Sequence, residues 1–176
     1  FFELANKAQE LAAKLENAEV NALLISKPGI AEEYKEAFVN SGINKIYAIE
    51  DTRFETYCTD YFAKAAIDTI KEINPEILLI GATNQGRDLA PRISTALNTG
   101  LTADCTGLDI NEKGQLAATR PTFGGQLMAT ILCKNMPQMA TVRPKVFKPA
   151  EKDNIKQTEI VYKHADIENV QRCVEI

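Results

Sequence analysis

The stretch that decides the fold is Ile77-Leu78-Leu79-Ile80-Gly81-Ala82-Thr83-Asn84-Gln85-Gly86-Arg87-Asp88-Leu89-Ala90-Pro91-Arg92. Its first four residues predict a buried strand, and the glycine-bounded segment Gly81–Arg92 then leads into a helix. A strand, a glycine-containing loop and a helix in this order are typical of the edge where α/β sheets bind a ligand or a partner. The loop lacks the Lys-Ser/Thr ending of a P-loop and the GxGxxG spacing of a dinucleotide fingerprint. The stretch therefore predicts an α/β fold and leaves its ligand open.

Upstream of this stretch, apolar periodicity predicts helices that alternate with strands. The helices are predicted at 4–15, 31–39 and 59–73, and the strands at 20–25, 45–49 and 76–80. A further helix is predicted from Asp88, its N-cap, to Leu97, with Pro91 in the first turn, where a missing N–H costs nothing. Such alternation gives a parallel sheet covered by helices on both faces.

Downstream of Gly100 the pattern changes to strands joined by short links. Strands are predicted at 101–110, 116–121, 126–133 and 139–142, and residues 111–114 have the composition of a hairpin turn. We therefore expect a Rossmann-like three-layer α/β domain over residues 1–150, with a mostly parallel sheet and additional antiparallel strands in its second half. Residues 151–176 are predicted to form a polar tail, with an edge strand at 158–162 and the start of a helix at 166–173.

Composition excludes several classes of function. The formal net charge of −4 argues against a general nucleic-acid binder. No run of about 18 apolar residues predicts a membrane span. The four cysteines form no CxxC pair, which argues against a zinc site or a disulfide framework and favours the cytoplasm or an organelle matrix. His164 is the single histidine, which argues against a catalytic Ser-His-Asp triad or Cys-His pair.

Three segments contain candidate functional residues, each with a structural alternative. Gly81–Arg92 is either an anion site at a helix N-terminus or a tight turn whose arginines pair with acidic neighbours. Arg120 and the pair Gly124-Gly125 either face an anion or a flavin ring or form a hairpin loop with a bulge. Asp104 must find hydrogen-bond donors if it is buried, and Cys105 is either a reactive thiol or a small packed residue.

Four segments together resemble one family, the α subunit of electron transfer flavoprotein, in its N-terminal domain. They are Gly81–Arg92, Gly100–Thr106, Thr119-Arg120-Pro121 with Gly124-Gly125, and Pro137–Pro144. The similarity begins at Phe2 and covers nearly the whole chain. Two positions depart from the family pattern, because Met136 stands where Arg is frequent and Lys145 where Gly is frequent. The family's first strand, which precedes the opening helix, is also expected to be missing, so we predict that the sheet lacks a strand.

The resemblance implies an electron carrier that works as an αβ heterodimer between flavin dehydrogenases, acyl-CoA-type or other, and an acceptor. FAD is expected in a C-terminal domain that would follow Ile176, so this chain alone should not hold it. The β subunit would carry AMP or a second FAD. Arg120, Gly124, Gly125 and Arg87 would then lie at the edge of that nucleotide or at the subunit interface. No catalytic residue and no metal site are implied.

Two other classes of function stay open on the sequence. One is a stand-alone regulatory module that binds an adenine nucleotide at Gly81–Arg92, for which the helix start and the two arginines argue. The other is a cysteine-dependent enzyme that uses Cys105, which the lack of a nearby histidine disfavours.

Overall fold

Three sheets and five helices are built from the residues that the structure describes. It is a computed structural model and describes residues 1–150 and 158–171. The helices are α1 (Phe2–Ala12), α2 (Ile30–Glu33), α3 (Lys35–Val39), α4 (Thr59–Ile73) and α5 (Asn84–Ala96). The strands are β1 (Asn21–Ser26), β2 (Lys45–Glu50), β3 (Ile77–Gly81), β4 (Leu101–Cys105), β5 (Gly107–Ile110), β6 (Leu116–Thr122), β7 (Leu127–Leu132), β8 (Gln138–Val142) and β9 (Glu159–Lys163).

Two of the sheets are parallel, and the third, formed by strands from the second half of the chain, is antiparallel. The strand orders are β1-β2-β9 and β3-β8-β4, both parallel, and β5-β6-β7, antiparallel. The predicted fold class, a Rossmann-like α/β domain with added antiparallel strands, is confirmed. The predicted edge strand near residue 158 is also found, because β9 pairs with β2 at the border of the first sheet.

Two predicted elements differ from the structure. The single strand predicted over 101–110 is two strands, which are separated at Thr106; within β4, the left-handed Asp104 (φ 62°) lies in an irregularity of the pairing with β8, which resumes at Cys105. The helix predicted over 31–39 is divided at Tyr34 into α2 and α3. Of the final predicted helix, residues 166–171 are described and are not helical, and the rest lies outside the described residues. Of the predicted polar tail, 151–176, residues 151–157 and 172–176 lie outside the described residues.

Helices α1 and α4 cover opposite faces of the two parallel sheets. On β1, Leu23 and Ile25 pack against α4, as do Leu78 and Ile80 of β3. The alternate residues of both strands face α1, namely Ala22 and Leu24 of β1 and Ile77 and Leu79 of β3. Since side chains alternate along a strand, the shared helices show that both sheets lie in one layer.

This layer is interrupted between β1 and β3. The two strands do not pair in the part of the chain that the structure describes, and few of their Cα atoms come within 8 Å. Every residue of β3 is only half-buried although helices cover both of its faces, whereas β8 is buried throughout. The extra exposure of β3 therefore comes from its open edge.

The open edges predict a pattern of hydrogen exchange. Amide protons of β1 and β3 that point into the interruption should exchange at least about tenfold faster than those of β8, because they need no opening of a strand pair. Residue-resolved exchange measured by NMR checks this expectation. Uniform protection across β1, β3 and β8 would contradict the interrupted sheet.

Candidate functional site

The candidate site lies at the carboxyl ends of β3, β8 and β4. These strands end at Gly81, Val142 and Cys105. Because parallel strands place their carboxyl ends at one edge, residues that follow or end these strands come together there. The Ala82 N–H donates to the Val142 carbonyl (2.7 Å) and the Arg143 N–H donates to the Cys105 carbonyl (3.0 Å). The backbone thus ties the three strand ends to one another.

Helix α5 begins four residues earlier than the sequence predicts. Its N-cap is Thr83, whose Oγ1 accepts a hydrogen bond from the Gly86 N–H (3.1 Å), and the helix runs Asn84–Ala96. The prediction of Asp88 as N-cap is wrong, because the Thr83 hydroxyl satisfies a free N–H one turn sooner. Pro91 consequently lies inside the helix, not in its first turn.

Gly86 allows the helix to start this close to the strand. A Cβ on Gly86 would lie 1.9 Å from the Gly81 carbonyl oxygen, which is backbone and has no side-chain freedom to move aside. The two glycines of the opening stretch therefore have different roles. Gly81 has only Thr83 and Leu4 side-chain atoms at 3.9–4.0 Å from such a Cβ, so its own position is tolerant of a side chain.

Replacement of Gly86 tests this close approach. Gly86→Ala should lower the free energy of unfolding by about 1–3 kcal/mol, because overpacking outweighs the better helix propensity of alanine. Gly81→Ala is the matched control and should change it by less than about 0.5 kcal/mol. Urea denaturation of both variants measures the difference. Equal stability of the two would show that the contact does not constrain α5.

Asp104 joins two arginines from separate elements. Its Oδ1 accepts from Arg87 Nη2 (2.8 Å), and its Oδ2 accepts from Arg143 Nη2 (2.6 Å). The Asp104 N–H donates to Thr141 Oγ1 (2.8 Å), and the Asp104 side chain is 20% exposed. Arg87 also donates from Nε to the Ala82 carbonyl (3.0 Å). Asp104 thus finds the donors that its position in a buried segment requires.

The two arginines alter the titration of Asp104. The hydrogen bond from Arg143 is the main cause that holds the pKa of Asp104 below its usual range, and burial opposes it. A carboxyl whose pKa is lowered in the folded state stabilises the fold fully above its unfolded pKa of about 4. That contribution is lost as the pH falls through the lower folded-state pKa.

Asp104→Asn isolates the charge, because asparagine tolerates a left-handed φ. At pH 7 the variant should be less stable by about 1–2 kcal/mol, since two arginines lose their shared carboxylate. The difference from the unchanged protein should shrink as the pH falls below about 4, where Asp104 becomes neutral in the unfolded chain, and should vanish below the lower pKa of the folded state. Urea unfolding at pH 7 and pH 3 measures the stability difference between the two proteins and its change with pH. A difference independent of pH would contradict a role for the charge.

The other charged residues of the opening stretch are paired as well. Arg92 donates from Nη1 to Asp60 Oδ1 (2.6 Å), and Asp88 accepts from the Tyr57 hydroxyl (2.7 Å). With Arg87 held by Asp104, both arginines of the predicted anion site have a carboxylate partner. This arrangement agrees with the structural alternative, in which the segment is a tight turn whose arginines pair with acidic neighbours.

Arg120 lies within β6, opposite Ala129 of β7. The predicted strand 116–121 includes Arg120, and the observed strand continues one residue further, to Thr122. The Nε of Arg120 is buried and has no hydrogen-bond partner among the residues that the structure describes. The positive charge lies near Cys105 and counteracts, in part, the burial that raises the Cys105 pKa. Arg120 and Arg87 therefore flank the consecutive residues Asp104 and Cys105.

Gly124 and Gly125 lie at the tip of the hairpin, away from Arg87. They have φ values of 66° and 90° in a short 3-10 turn, Phe123–Gly125. These left-handed conformations favour glycine. A Cβ on either residue would meet no atom within 4 Å, so the backbone here is open to contact from outside. The structure does not bring the four predicted site residues into one cluster.

Cys105 is a packed residue. Its side chain is fully buried, its Sγ donates to the Thr102 carbonyl (3.3 Å), and burial raises its pKa to about 11. A thiol in this state is neither accessible nor ionised near pH 7, so it is not a nucleophile. Among the described residues, no group of acidic, histidine and cysteine side chains has the arrangement of a metal site.

The hairpin arm, which we define as β6, β7 and the residues between them, carries the largest exposed apolar side chains near this edge. Five of six β7 residues are exposed. The exposed large side chains of the arm are Phe123 (78%), Leu127, Met128 (58% each), Ile131 and Leu132. Sequence reasoning missed this surface, although the absence of any charged residue from 121 to 133 was a signal for it.

The role of Gln138 was also missed by sequence reasoning. It is 2% exposed at the start of β8, its Oε1 accepts from the Leu116 N–H (2.6 Å), and its Nε2 donates to the Cys133 carbonyl (3.2 Å). These bonds fix both ends of the hairpin arm to the central parallel strand. No motif or spacing pointed to this role, because it depends on the meeting of three strands.

Fold and site together define a Rossmann-like α/β domain that presents an apolar antiparallel arm beside the carboxyl edge of a parallel sheet. The sequence pattern of the electron transfer flavoprotein domain matches residues 2–167. The chain belongs to the electron transfer flavoprotein family.

Curated relatives agree with this assignment. The chain is 45% identical over 166 residues to electron transfer flavoprotein subunit alpha of Thermoanaerobacterium thermosaccharolyticum, covering 94% of this chain and 49% of that protein. The subunit alpha of Clostridium acetobutylicum is 46% identical over 162 residues (90% and 47%). The acryloyl-CoA reductase electron transfer subunit beta of Anaerotignum propionicum is 37% identical over 192 residues (94% and 52%).

The chain spans about half the length of the curated relatives it matches. None of the helices in the described part of the chain is long and apolar enough to cross a membrane.

Proposed function

We propose that this chain is the N-terminal domain of an electron transfer flavoprotein α subunit, which carries electrons between flavin dehydrogenases and an acceptor as an αβ heterodimer. Within that complex the domain supplies a β-subunit interface, and its role is assembly and flavin positioning, not catalysis. The observation that carries the proposal is the hairpin arm, because a stable domain rarely exposes so many large apolar side chains on one strand without a partner.

Arg120 is the residue that fits a nucleotide or flavin of the β subunit best. Its Nε has no hydrogen-bond partner within the described residues, and an unpaired guanidinium nitrogen is a costly group to leave buried. Gly124 and Gly125 add a stretch of backbone that is open to a flat ligand or a chain. Arg87 fits less well, since two of its nitrogen atoms already donate to Ala82 and Asp104.

FAD, when bound in the complete complex, supplies the electron-transfer chemistry. The residues of this chain contribute charge and position. Arg120 would place a positive charge beside an anionic group, and the ion cluster at Asp104 would keep Arg87 and Arg143 fixed at the same edge. The dehydrogenase partner is proposed to be of acyl-CoA type. The relative in Anaerotignum propionicum, which is named for acryloyl-CoA reductase, supports this proposal.

The test uses the full-length α subunit co-purified with its β subunit. Arg120→Ala should leave the complex assembled but weaken retention of AMP or FAD in the β subunit about tenfold, the loss expected for one hydrogen bond to a charged group. Nucleotide content after dialysis and the flavin absorbance spectrum measure the change.

Arg53→Ala provides the matched control, because Arg53 pairs with Asp51 at a distance from the hairpin arm. It should change neither nucleotide content nor the spectrum. If Arg120→Ala behaves like this control, Arg120 has no contact with the nucleotide. If the full-length subunits form no complex and carry no flavin, the electron-carrier function itself is wrong.

A further inference from the structure

We infer that the free edge of β9 is a docking surface for an extended segment of a partner protein that carries lysine or arginine at alternate positions. Strand β9 borders the first sheet and belongs to a different sheet from the hairpin arm. The inference therefore goes beyond the proposed function, which concerns the arm.

One side of β9 has no strand beside it in the described chain. The strand pairs with β2 alone, in a regular parallel register. Ile160 and Val161 point to opposite faces of the sheet and are both half-buried, whereas Ile46 and Ala48 of β2 are fully buried. The difference agrees with a row of backbone N–H and C=O groups on the outer side of β9 that is open to a partner.

The middle of β9 lacks the features that normally protect a free strand edge. Proteins protect such an edge with charges, proline, bulges or a covering element. The charged residues of β9 stand at its two ends, Glu159 and Lys163, and Lys163 donates to Glu72 of α4. The three residues between them contain no charge, proline or bulge. A short extended segment can therefore pair with this part of the strand, as peptides do when they add to an open sheet.

The two faces of β9 differ in chemistry, and the difference sets the side chains of the partner segment. Tyr162 shares a face with Ile160, which packs on the cluster formed by α1 and α3, and Tyr162 is 54% exposed. Partial burial and the nearby carboxylates of Glu32 and Glu50 raise the pKa of Tyr162. On the opposite face Val161 offers apolar contact. Since side chains alternate along a strand, a segment paired with β9 would have cationic residues beside Tyr162 and apolar ones beside Val161.

Acidic residues predominate in α2 and α3, on the Tyr162 side of the sheet. Glu32 and Glu33 belong to α2, and Glu36 belongs to α3. Lys35, the basic residue of these two helices, pairs with Glu32 (3.3 Å). An ammonium or guanidinium group is attracted both by carboxylates and by the face of a tyrosine ring. This combination selects lysine or arginine on the segment that docks.

The distribution of charge argues against a second copy of this chain as the occupant. Residues 1–76, which include the two strands beside β9 in its sheet, contain 14 acidic and eight basic side chains. Residues 77–150 contain four acidic and eight basic ones. Two copies joined through β9 would bring their acidic halves together. A basic segment of another protein removes this repulsion, so charge complementarity favours such a partner.

The experiment uses the full-length α subunit in complex with its β subunit, and two synthetic peptides as probes. A peptide of alternating lysine and valine should bind at least about tenfold more tightly than one of alternating glutamate and valine, as measured by calorimetry. Glu32→Lys should weaken binding of the lysine peptide about tenfold. Tyr162→Ala should weaken it about fivefold, the loss expected for one cation–π contact. Glu112→Lys is the matched control, because Glu112 is an exposed carboxylate in the turn between β5 and β6, and it should leave the affinity unchanged.

Hydrogen exchange separates strand pairing from attraction by charge alone. Amides of residues 160–162 that do not pair with β2 should become at least about tenfold more protected when the lysine peptide binds. Binding without this protection overturns the strand pairing, and failure of the lysine peptide to bind, or equal affinity for both peptides, overturns the basic partner. The same protection without peptide, with sedimentation as a pair of αβ complexes, would make a second copy the occupant and would also overturn the inference. Each of these outcomes leaves the electron-carrier function standing.

Discussion

The double ion pair of Asp104 is the interaction on which the arrangement of this domain depends. Asp104, the penultimate residue of β4, has a left-handed φ, and the chain leaves the parallel sheet after Cys105 and enters the antiparallel one. The Asp104 carboxylate binds Arg87 of α5 and Arg143, the residue after β8. One side chain therefore links α5 to the carboxyl ends of β4 and β8. Since the left-handed φ is strained for most residues, these bonds stabilise a conformation that the backbone alone disfavours.

The hairpin arm follows from this turn. Because the chain leaves the parallel sheet after Cys105, strands β5, β6 and β7 form a separate sheet whose first two strands pack on the parallel layer through Leu108, Leu116 and Ala118. The third strand lies beyond that packing and is exposed. Gln138 limits the movement of the arm by bonding to Leu116, the first residue of β6, and to Cys133, the residue after β7. The apolar edge is thus held in place without being covered.

The sequence predicts the alternating part of the fold well, because its signals are local. Apolar periodicity gives α4 to the residue, and composition gives the turn between β5 and β6. The start of α5 is missed, because Thr83 and Asp88 are both good caps and the choice depends on the contact of Gly86 with Gly81. The sequence indicated that a buried Asp104 needs hydrogen-bond donors, but it could not identify them, because Arg87 and Arg143 come close to Asp104 through the order of the strands and not through their spacing in the sequence. The interruption between β1 and β3 was expected only through the resemblance to a family.

The arginines at the carboxyl edge and the arginine of the hairpin arm differ in whether they have hydrogen-bond partners, and this difference indicates different roles. At the carboxyl edge, Arg87 and Arg92 both have carboxylate partners, so these arginines stabilise the position of α5. Arg120 differs, because its Nε has no partner within the described residues and its strand belongs to the exposed arm. Unsatisfied hydrogen bonding and uncovered apolar area thus coincide in one hairpin, while Arg87, Arg92 and Arg143 are all paired with carboxylates. The edge that α/β folds ordinarily use for a ligand therefore joins α5, β4 and β8 to one another in this domain.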